Sequence, residues 1–273
     1  MSRILGIFTC HNRKEKTMRC LDSLIRNNPS ISFSFIAVDD KSTDGTRKAL
    51  SRYENMQIIS GNGQCYYSGG MRLGINHAKN QCAQYDWILL FNDDVVFFPS
   101  SIEKLVAYSP ATHDEIITGA ICDEYGKLSY GGVLKTSRFK PSFQIVMSLN
   151  THISCDTFNA NCVLIPAKIF KYLPNIDHCY THSMGDFDYG LEAKKRNISI
   201  TVSNFFVGMC SDNPLDGTWR DIHLSRWERL LKKEKPKGLP IREWFHFVKK
   251  HYGFPCACVS SITPYIKILL KKP

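Results

Sequence analysis

Two short acidic runs hold the side chains best placed to do chemistry. In the first, the apolar run Trp87-Ile88-Leu89-Leu90-Phe91 ends abruptly in Asn92-Asp93-Asp94. Five apolar residues in a row read as a central strand buried on both faces. Carboxylates at the end of such a strand are costly unless paired, hydrogen-bonded or set against a cation. Hard oxygen donors there suit Mg²⁺ or Mn²⁺ carrying a phosphorylated ligand; the plain alternative is an acidic turn ahead of a helix at Pro99. In the second run, Gly185-Asp186-Phe187-Asp188 opens a helix whose far end, Lys194-Lys195-Arg196, is basic, as the helix dipole favours. Asp186 alone reads as a helix cap. A second carboxylate two residues on, after an earlier acidic cluster, points instead to a general base.

The elements that must position these groups follow from the spacing of apolar residues. Residues 4–8 form a short apolar strand that breaks at Thr9-Cys10-His11-Asn12-Arg13. Met18, Leu21, Leu24 and Ile25 then recur at helical spacing until Asn27-Asn28-Pro29 stops the helix. Residues 33–38 make a second strand ending in Asp39-Asp40, with Ser42, Thr43 and Asp44 as cap material for a helix carrying Ala49, Leu50 and Tyr53. Residues 56–60 are a third strand. The loop 61–70 holds four glycines, which lets backbone approach a ligand closely, and a helix with Leu73, Ile75, Ala78 and Cys82 leads to the acidic strand. This alternation implies an α/β fold with a doubly wound, mostly parallel sheet.

Ligands bind such sheets at the carboxyl ends of the strands. Three strand ends and the glycine loop therefore converge on a nucleotide pocket. Thr9, His11, Asn12 and Arg13 come from the first end, Asp39, Asp40 and Ser42 from the second, Gly69 and Gly70 from the loop. Asn92 and Asp93 come from the acidic strand, and Asp94 is placed to hold the metal. Neither G-x-x-x-x-G-K-[ST] nor a G-x-G-x-x-G opening the first helix is present, which excludes P-loop and dinucleotide sites.

Past Pro99 the rhythm changes to a helix with Ile102, Leu105 and Val106 and then strand candidates at 116–121, 128–134, 143–149 and 161–165, a mixed or antiparallel part. The eleven cysteines are scattered with no C-x-x-C pair, which suits a reducing cytosol rather than a disulfide framework. The first ten residues read as neither a signal peptide nor a membrane span. Of the net charge of +10, residues 219–273 carry +9, with 13 Lys/Arg against 4 Asp/Glu. After a helix around 224–235, Ile241, Trp244, Phe245, Val248 and Tyr252 mark an amphipathic basic helix, and residues 262–270 form an apolar stretch too short to span a bilayer and ending in Lys271-Lys272.

Taken in order, T-C-H-N-R after the first strand, F-I-A-V-D-D-K-S-T-D-G-T, S-G-G-M-R-L-G-I-N-H-A, L-L-F-N-D-D-V and G-D-F-D-Y-G-L resemble family 2 glycosyltransferases of the GT-A fold, in particular bacterial cell-surface polysaccharide and rhamnosyltransferase-like enzymes. The resemblance spans residues 3–210. It implies a GT-A domain over 1–218, with a nucleotide half (1–98) and an acceptor half (99–218), followed by a basic helical extension (219–273). It places Asp94 as the metal ligand of a D-x-D site with Asn92 in place of the first Asp. Asp39 and Asp40 fall where the base and ribose are held, and Asp186 where the catalytic base stands. Gly185 replaces the acidic residue that precedes that base, so Asp188 is expected to share in orienting the acceptor. The late histidines His223, His246 and His251 do not read as metal ligands.

The implied reaction is inverting transfer from a nucleoside-diphosphate sugar, UDP- or dTDP-linked, to a hydroxyl of a glycan or lipid-linked acceptor. The cofactor is Mg²⁺ or Mn²⁺. The expected setting is cytoplasmic and peripheral on the membrane's inner face, through the basic tail, with no nucleic-acid partner. Two alternatives remain from the residues alone. A sugar-phosphate nucleotidyltransferase would carry a Gly-rich basic loop after the first strand, where Thr9 to Asn12 offers no glycine. A nucleic-acid-binding protein would explain the tail but not the neutral front.

Overall fold

The computed structural model describes residues 1–110, 114–211 and 215–270; the expected Lys271-Lys272 terminus lies outside them. β1 (Ser2–Cys10), α1 (Lys14–Arg26), β2 (Ile31–Asp39), α2 (Thr46–Leu50), β3 (Met56–Ser60), α3 (Tyr66–Lys79) and β4 (Trp87–Phe91) form the parallel half, in which β1 pairs with both β2 and β4 and β2 pairs with β3. β4 is the apolar run read from the sequence, and all five of its side chains are buried. Full burial of such side chains contributes roughly 1.5–3 kcal/mol each.

The second half comprises β5 (Val96–Phe97), α4 (Ser101–Tyr108), β6 (Glu115–Cys122), β7 (Leu128–Tyr130), β8 (Gly132–Lys135), β9 (Phe143–Val146), β10 (Ile153–Ser154), β11 (Thr157–Phe158), β12 (Cys162–Pro166), α5 (Ala167–Phe170), α6 (Gly185–Lys195) and β13 (Ser199–Met209). β12 enters antiparallel beside β4, and the large sheet runs β10-β13-β6-β12-β4-β1-β2-β3; β11, β8 and β9 make a small antiparallel sheet. The mixed character expected past Pro99 is what the pairing gives.

Several boundaries differ from the sequence reading, each for a local reason. α3 begins at Tyr66, so Gly69 and Gly70 lie within its first two turns rather than in a loop. Gly70 lets that helix sit on β1, because a Cβ there would meet Thr9 Oγ1 at 2.3 Å. α2 is only five residues long and Tyr53 falls beyond it. The expected 128–134 strand is broken between β7 and β8 at Gly131, with φ +151°.

Three helices close the described chain: α7 (Arg226–Lys233), α8 (Ile241–Tyr252) and α9 (Phe254–Leu269). Ser225 and Glu228 form a capping box at the start of α7. On α8 the apolar face packs inward: Phe247 and Val248 are fully buried in the core, and Trp244 and Phe245 are half-buried against it. No helix among the described residues is long and apolar enough to cross a membrane.

Candidate active site

Four loops meet at the carboxyl edge of the parallel strands, and most of the sequence-selected residues staple them together. Asp40, buried at the end of β2, accepts from Gly63 N (2.7 Å) through Oδ1 and from Cys65 N (2.9 Å) and Tyr66 N (3.1 Å) through Oδ2. Its carboxylate thus satisfies N–H groups that the start of α3 would leave orphaned, and both oxygens are used by the protein. Gly61 permits this approach, since a Cβ there would lie 2.4 Å from Asp40 Oδ1. Asp39 accepts from Ser42 N at 3.1 Å through Oδ1 only, leaving Oδ2 for another partner. Asn12 donates its N–H to Ser42 Oγ (3.0 Å) and accepts from Thr43 N (2.8 Å), while Asp44 accepts from Lys14 N at the start of α1 (2.9 Å). His11 Nδ1 lies 2.6 Å from the Asp40 carbonyl; a carbonyl only accepts, so Nδ1 carries the proton. Thr9 donates to the Val38 carbonyl at 3.1 Å.

At the acidic strand end the three residues have separate partners. Asp93 is buried and accepts from Thr17 Oγ1 (2.8 Å) and Arg13 Nη1 (3.1 Å), which docks α1. Burial pushes its carboxyl up, against the pull of Arg13 and Thr17. Asp94 is more open, with Arg13 Nη1 at 3.0 Å from Oδ2 and the Cys210 thiol at 3.6 Å from Oδ1. Asn92 Oδ1 is buried and without a hydrogen-bond partner. The Asp94 carboxylate and that orphan oxygen are hard donors of the type that Mg²⁺ and Mn²⁺ take.

Asp186 stands at the start of α6 and is joined to this edge by two hydrogen bonds: Ala160 N donates to Asp186 Oδ2 (3.3 Å), and Asn92 N donates to the Asn161 carbonyl (3.3 Å). Burial raises its carboxyl to about 6, although the N–H groups of Phe187 and Ala160 favour the charged form. The start of α3 reaches α6 through the 177–184 loop: Ser68 Oγ donates to the His182 carbonyl (2.8 Å), and Arg72 Nη2 to that of Tyr180 (2.9 Å). A Cβ on Gly185 would meet Ser68 Oγ at 2.4 Å, the physical reason an acidic residue does not precede Asp186 here.

Asp188 faces away from this edge. It is buried and bonded to His251 Nε2 (2.7 Å), Lys250 Nζ (2.9 Å) and Tyr180 OH (3.2 Å). These partners tie α6 to α8 through Asp188. Asp188, Glu192 and His251 are the one group of metal-ligand types gathered within 4.8 Å among the described residues. The Lys250 ammonium, 3.6 Å from Glu192 as well, already supplies the cation there.

Sequence reasoning missed three neighbours. Tyr67 is half-buried, and desolvation raises its phenol, with the Asp186 charge adding to the effect. His182 stacks edge-on to Tyr66 and Tyr67 and is held down to about 4 by burial, with Lys237 and Arg13 adding to the effect; its Nδ1 is buried without a partner. Cys210 closes β13 beside Asp94. His182 precedes the base motif, whereas only later histidines were weighed, and no periodicity singles out the other two. Backbone strain marks the same place: Asn12, Lys41, Tyr66 and Met184 all have φ between 50° and 66°, and such residues cluster at functional sites.

A family model described as Glycosyl transferase family 2 matches residues 7–172. The chain belongs to glycosyl transferase family 2. Among solved structures, it is similar to the mannosyltransferase PcManGT from Pyrobaculum calidifontis, determined in complex with GDP-Man and Mn²⁺, at 11% identity and a TM-score of 0.58, over 99% of this chain and 74% of that one. At that identity the likeness is one of fold, the GT-A fold. No curated protein matches the sequence.

Proposed function

We propose that this family 2 member is an inverting, metal-dependent glycosyltransferase that moves a sugar from a nucleoside-diphosphate donor to an acceptor hydroxyl. The observation that carries the reading is Asp186, a carboxylate near pKa 6 tied through residues 160–161 to the Asn92-Asp94 edge. A base in that range is mostly ionised at pH 7 and still basic enough to draw a proton in the transition state. Asp186 takes the proton of the acceptor hydroxyl as its oxygen attacks the anomeric carbon opposite the departing diphosphate, so a single displacement inverts that carbon. The Ala160 and Phe187 N–H groups hold the carboxylate in place. Asp39 Oδ2 suits a ribose hydroxyl, and Arg13 sets a fixed positive charge beside the phosphates. A Mg²⁺ or Mn²⁺ ion held by Asp94 with Asn92 would neutralise the leaving diphosphate.

The GDP-Man and Mn²⁺ of the mannosyltransferase neighbour support a nucleotide-sugar donor, and family membership favours this chemistry over nucleotidyl transfer. A glycan or lipid-linked acceptor in bacterial surface polysaccharide synthesis completes the reading. The test is a panel of GDP-, UDP- and dTDP-sugars scored by thermal shift with and without Mn²⁺, since a ligand that binds only the native state raises the midpoint. At least one donor should raise the midpoint only with the ion present, and Asp94→Ala should abolish that rise. A donor shift that survives both excess chelator and Asp94→Ala would overturn the metal assignment.

A further inference from the structure

α9 does not have the surface of an ordinary outer helix. Ala257, Ser261, Pro264 and Ile268 form its buried stripe, at i, i+4, i+7 and i+11. The opposite side of a helix lying on a domain is normally polar. Here it carries Val259 (70% exposed), Ile262, Ile266, Leu269 and Leu270, and Lys267 is the one charged residue in the helix. α7, which meets α9 where Lys233 lies over the Tyr265 ring and Tyr265 OH donates to Glu234 (2.6 Å), adds exposed Trp227 and Leu231 one helical turn apart. Exposed basic residues surround these helices in the sequence: Arg226, Lys235, Lys237, Arg242, Lys249 and Lys267. The carboxylates of the same segment are mostly engaged. Glu243 is buried, Glu228 closes the capping box and Glu234 pairs with Lys233 at 2.6 Å.

We infer that the outer face of α9, with Trp227 and Leu231 of α7, docks on an anionic lipid bilayer. A second copy would bring together two tails each carrying +9, and a nucleic acid would use the charge but leave the apolar stripe in water. An anionic bilayer uses both, because basic side chains approach the headgroups while a helix lying in the interface buries its apolar face. With α8 occupied in the core, the docking helix is α9. The surface is independent of the transfer reaction, so its test needs neither donor nor acceptor.

The test is flotation of the full chain with phosphatidylcholine vesicles and with vesicles containing phosphatidylglycerol, in 0.1 and 0.5 M NaCl. The expected result is binding to the anionic vesicles, at least about tenfold weaker in high salt, and a further loss of about tenfold or more in Ile262→Glu/Ile266→Glu. Both positions are solvent-exposed, so this variant should keep its thermal midpoint. In the unaltered chain, brominated acyl chains should quench Trp227 fluorescence, a loss that Trp227→Leu removes. Negligible binding to anionic vesicles, equal binding by chain and variant, or unquenched Trp227 would each overturn the inference. So would a dimer that Ile262→Glu/Ile266→Glu dissolves, or retention on RNA in place of vesicles.

Discussion

Asp186 and Asp188 stand two residues apart and have opposite circumstances, which separates their variants. The carboxyl of Asp186 sits near 6 because burial penalises its charge, so activity should rise with pH through about 6 and then level. The same shift has a stability consequence. Its folded pKa lies above the ordinary carboxylate value of about 4, so the native state holds a proton more tightly than the unfolded chain between these values, and stability is lost as pH rises from about 4 to 6. Asp186→Asn removes that cost. The expected outcome is a 10²–10⁴-fold fall in transfer with donor binding kept, and a midpoint above wild type at pH 7.5, on the order of 1–3 kcal/mol, with the gain vanishing below about pH 4. Melting curves across that range check the sign: the amide can accept from only one of the Phe187 and Ala160 N–H groups, a cost that does not vary with pH, so a difference between variant and wild type that stays constant from about pH 4 to 6 would refute burial as the cause. Asp188→Asn should do the reverse: transfer within a few fold of wild type, but a midpoint lowered by roughly 1–3 kcal/mol, because Lys250 and His251 lose a charged acceptor. Transfer falling as far as in Asp186→Asn, at unchanged stability, would return Asp188 to the chemistry.

At the scale of elements, what the sequence made legible is what repeats. Strand and helix alternation up to Asp94 gave the parallel half and its carboxyl edge, since apolar periodicity is written in the chain itself. β4 reads from its composition alone. What it could not convey is which carboxylates the fold would spend on itself. The sequence places Asp40 beside base or ribose and Asp93 in the pocket lining; in the fold Asp40 also accepts from the N–H groups of Gly63, Cys65 and Tyr66, and Asp93 also anchors α1 through Thr17. Those partners lie 23 to 76 residues away, some of them at a helix start that a glycine-rich segment obscured. Gly185 is a similar case, an apparent departure from the family pattern that becomes a packing contact between α3 and α6. Gly185→Glu should therefore destabilise by roughly 1–3 kcal/mol through overpacking, and Ser68→Gly in the same chain should recover much of the loss. A double-mutant cycle measures the coupling; additive effects would mean that the two helices relax independently.

For the whole molecule, the question is whether the basic segment is an appendage or part of the fold. Its charge asymmetry suggested an extension hung on a catalytic domain, but three sets of contacts tie it in. Phe247 and Val248 are fully buried in the same core as β1, β4 and β12. Lys250 pairs with Asp188 and His251 hydrogen-bonds to it, and Glu243 accepts from Thr181 N (3.2 Å) in the loop that carries His182. A chain ending at Lys235 would lose those apolar contacts, open the core surface beneath α8 to water and leave Asp188 without Lys250 and His251, which together cost several kcal/mol. Set against a typical total stability of 5–15 kcal/mol, that loss should abolish cooperative folding. The truncated chain is expected to give no sharp melting transition and no donor-induced thermal shift, whereas Ile262→Glu/Ile266→Glu, altered only on the exposed face of α9, keeps both. The two altered chains thus separate two roles of one segment, α8 as structural brace and α9 as docking face. A truncated chain that melts cooperatively at the wild-type midpoint would show that the first 235 residues fold alone, and would make α8 dispensable for the fold.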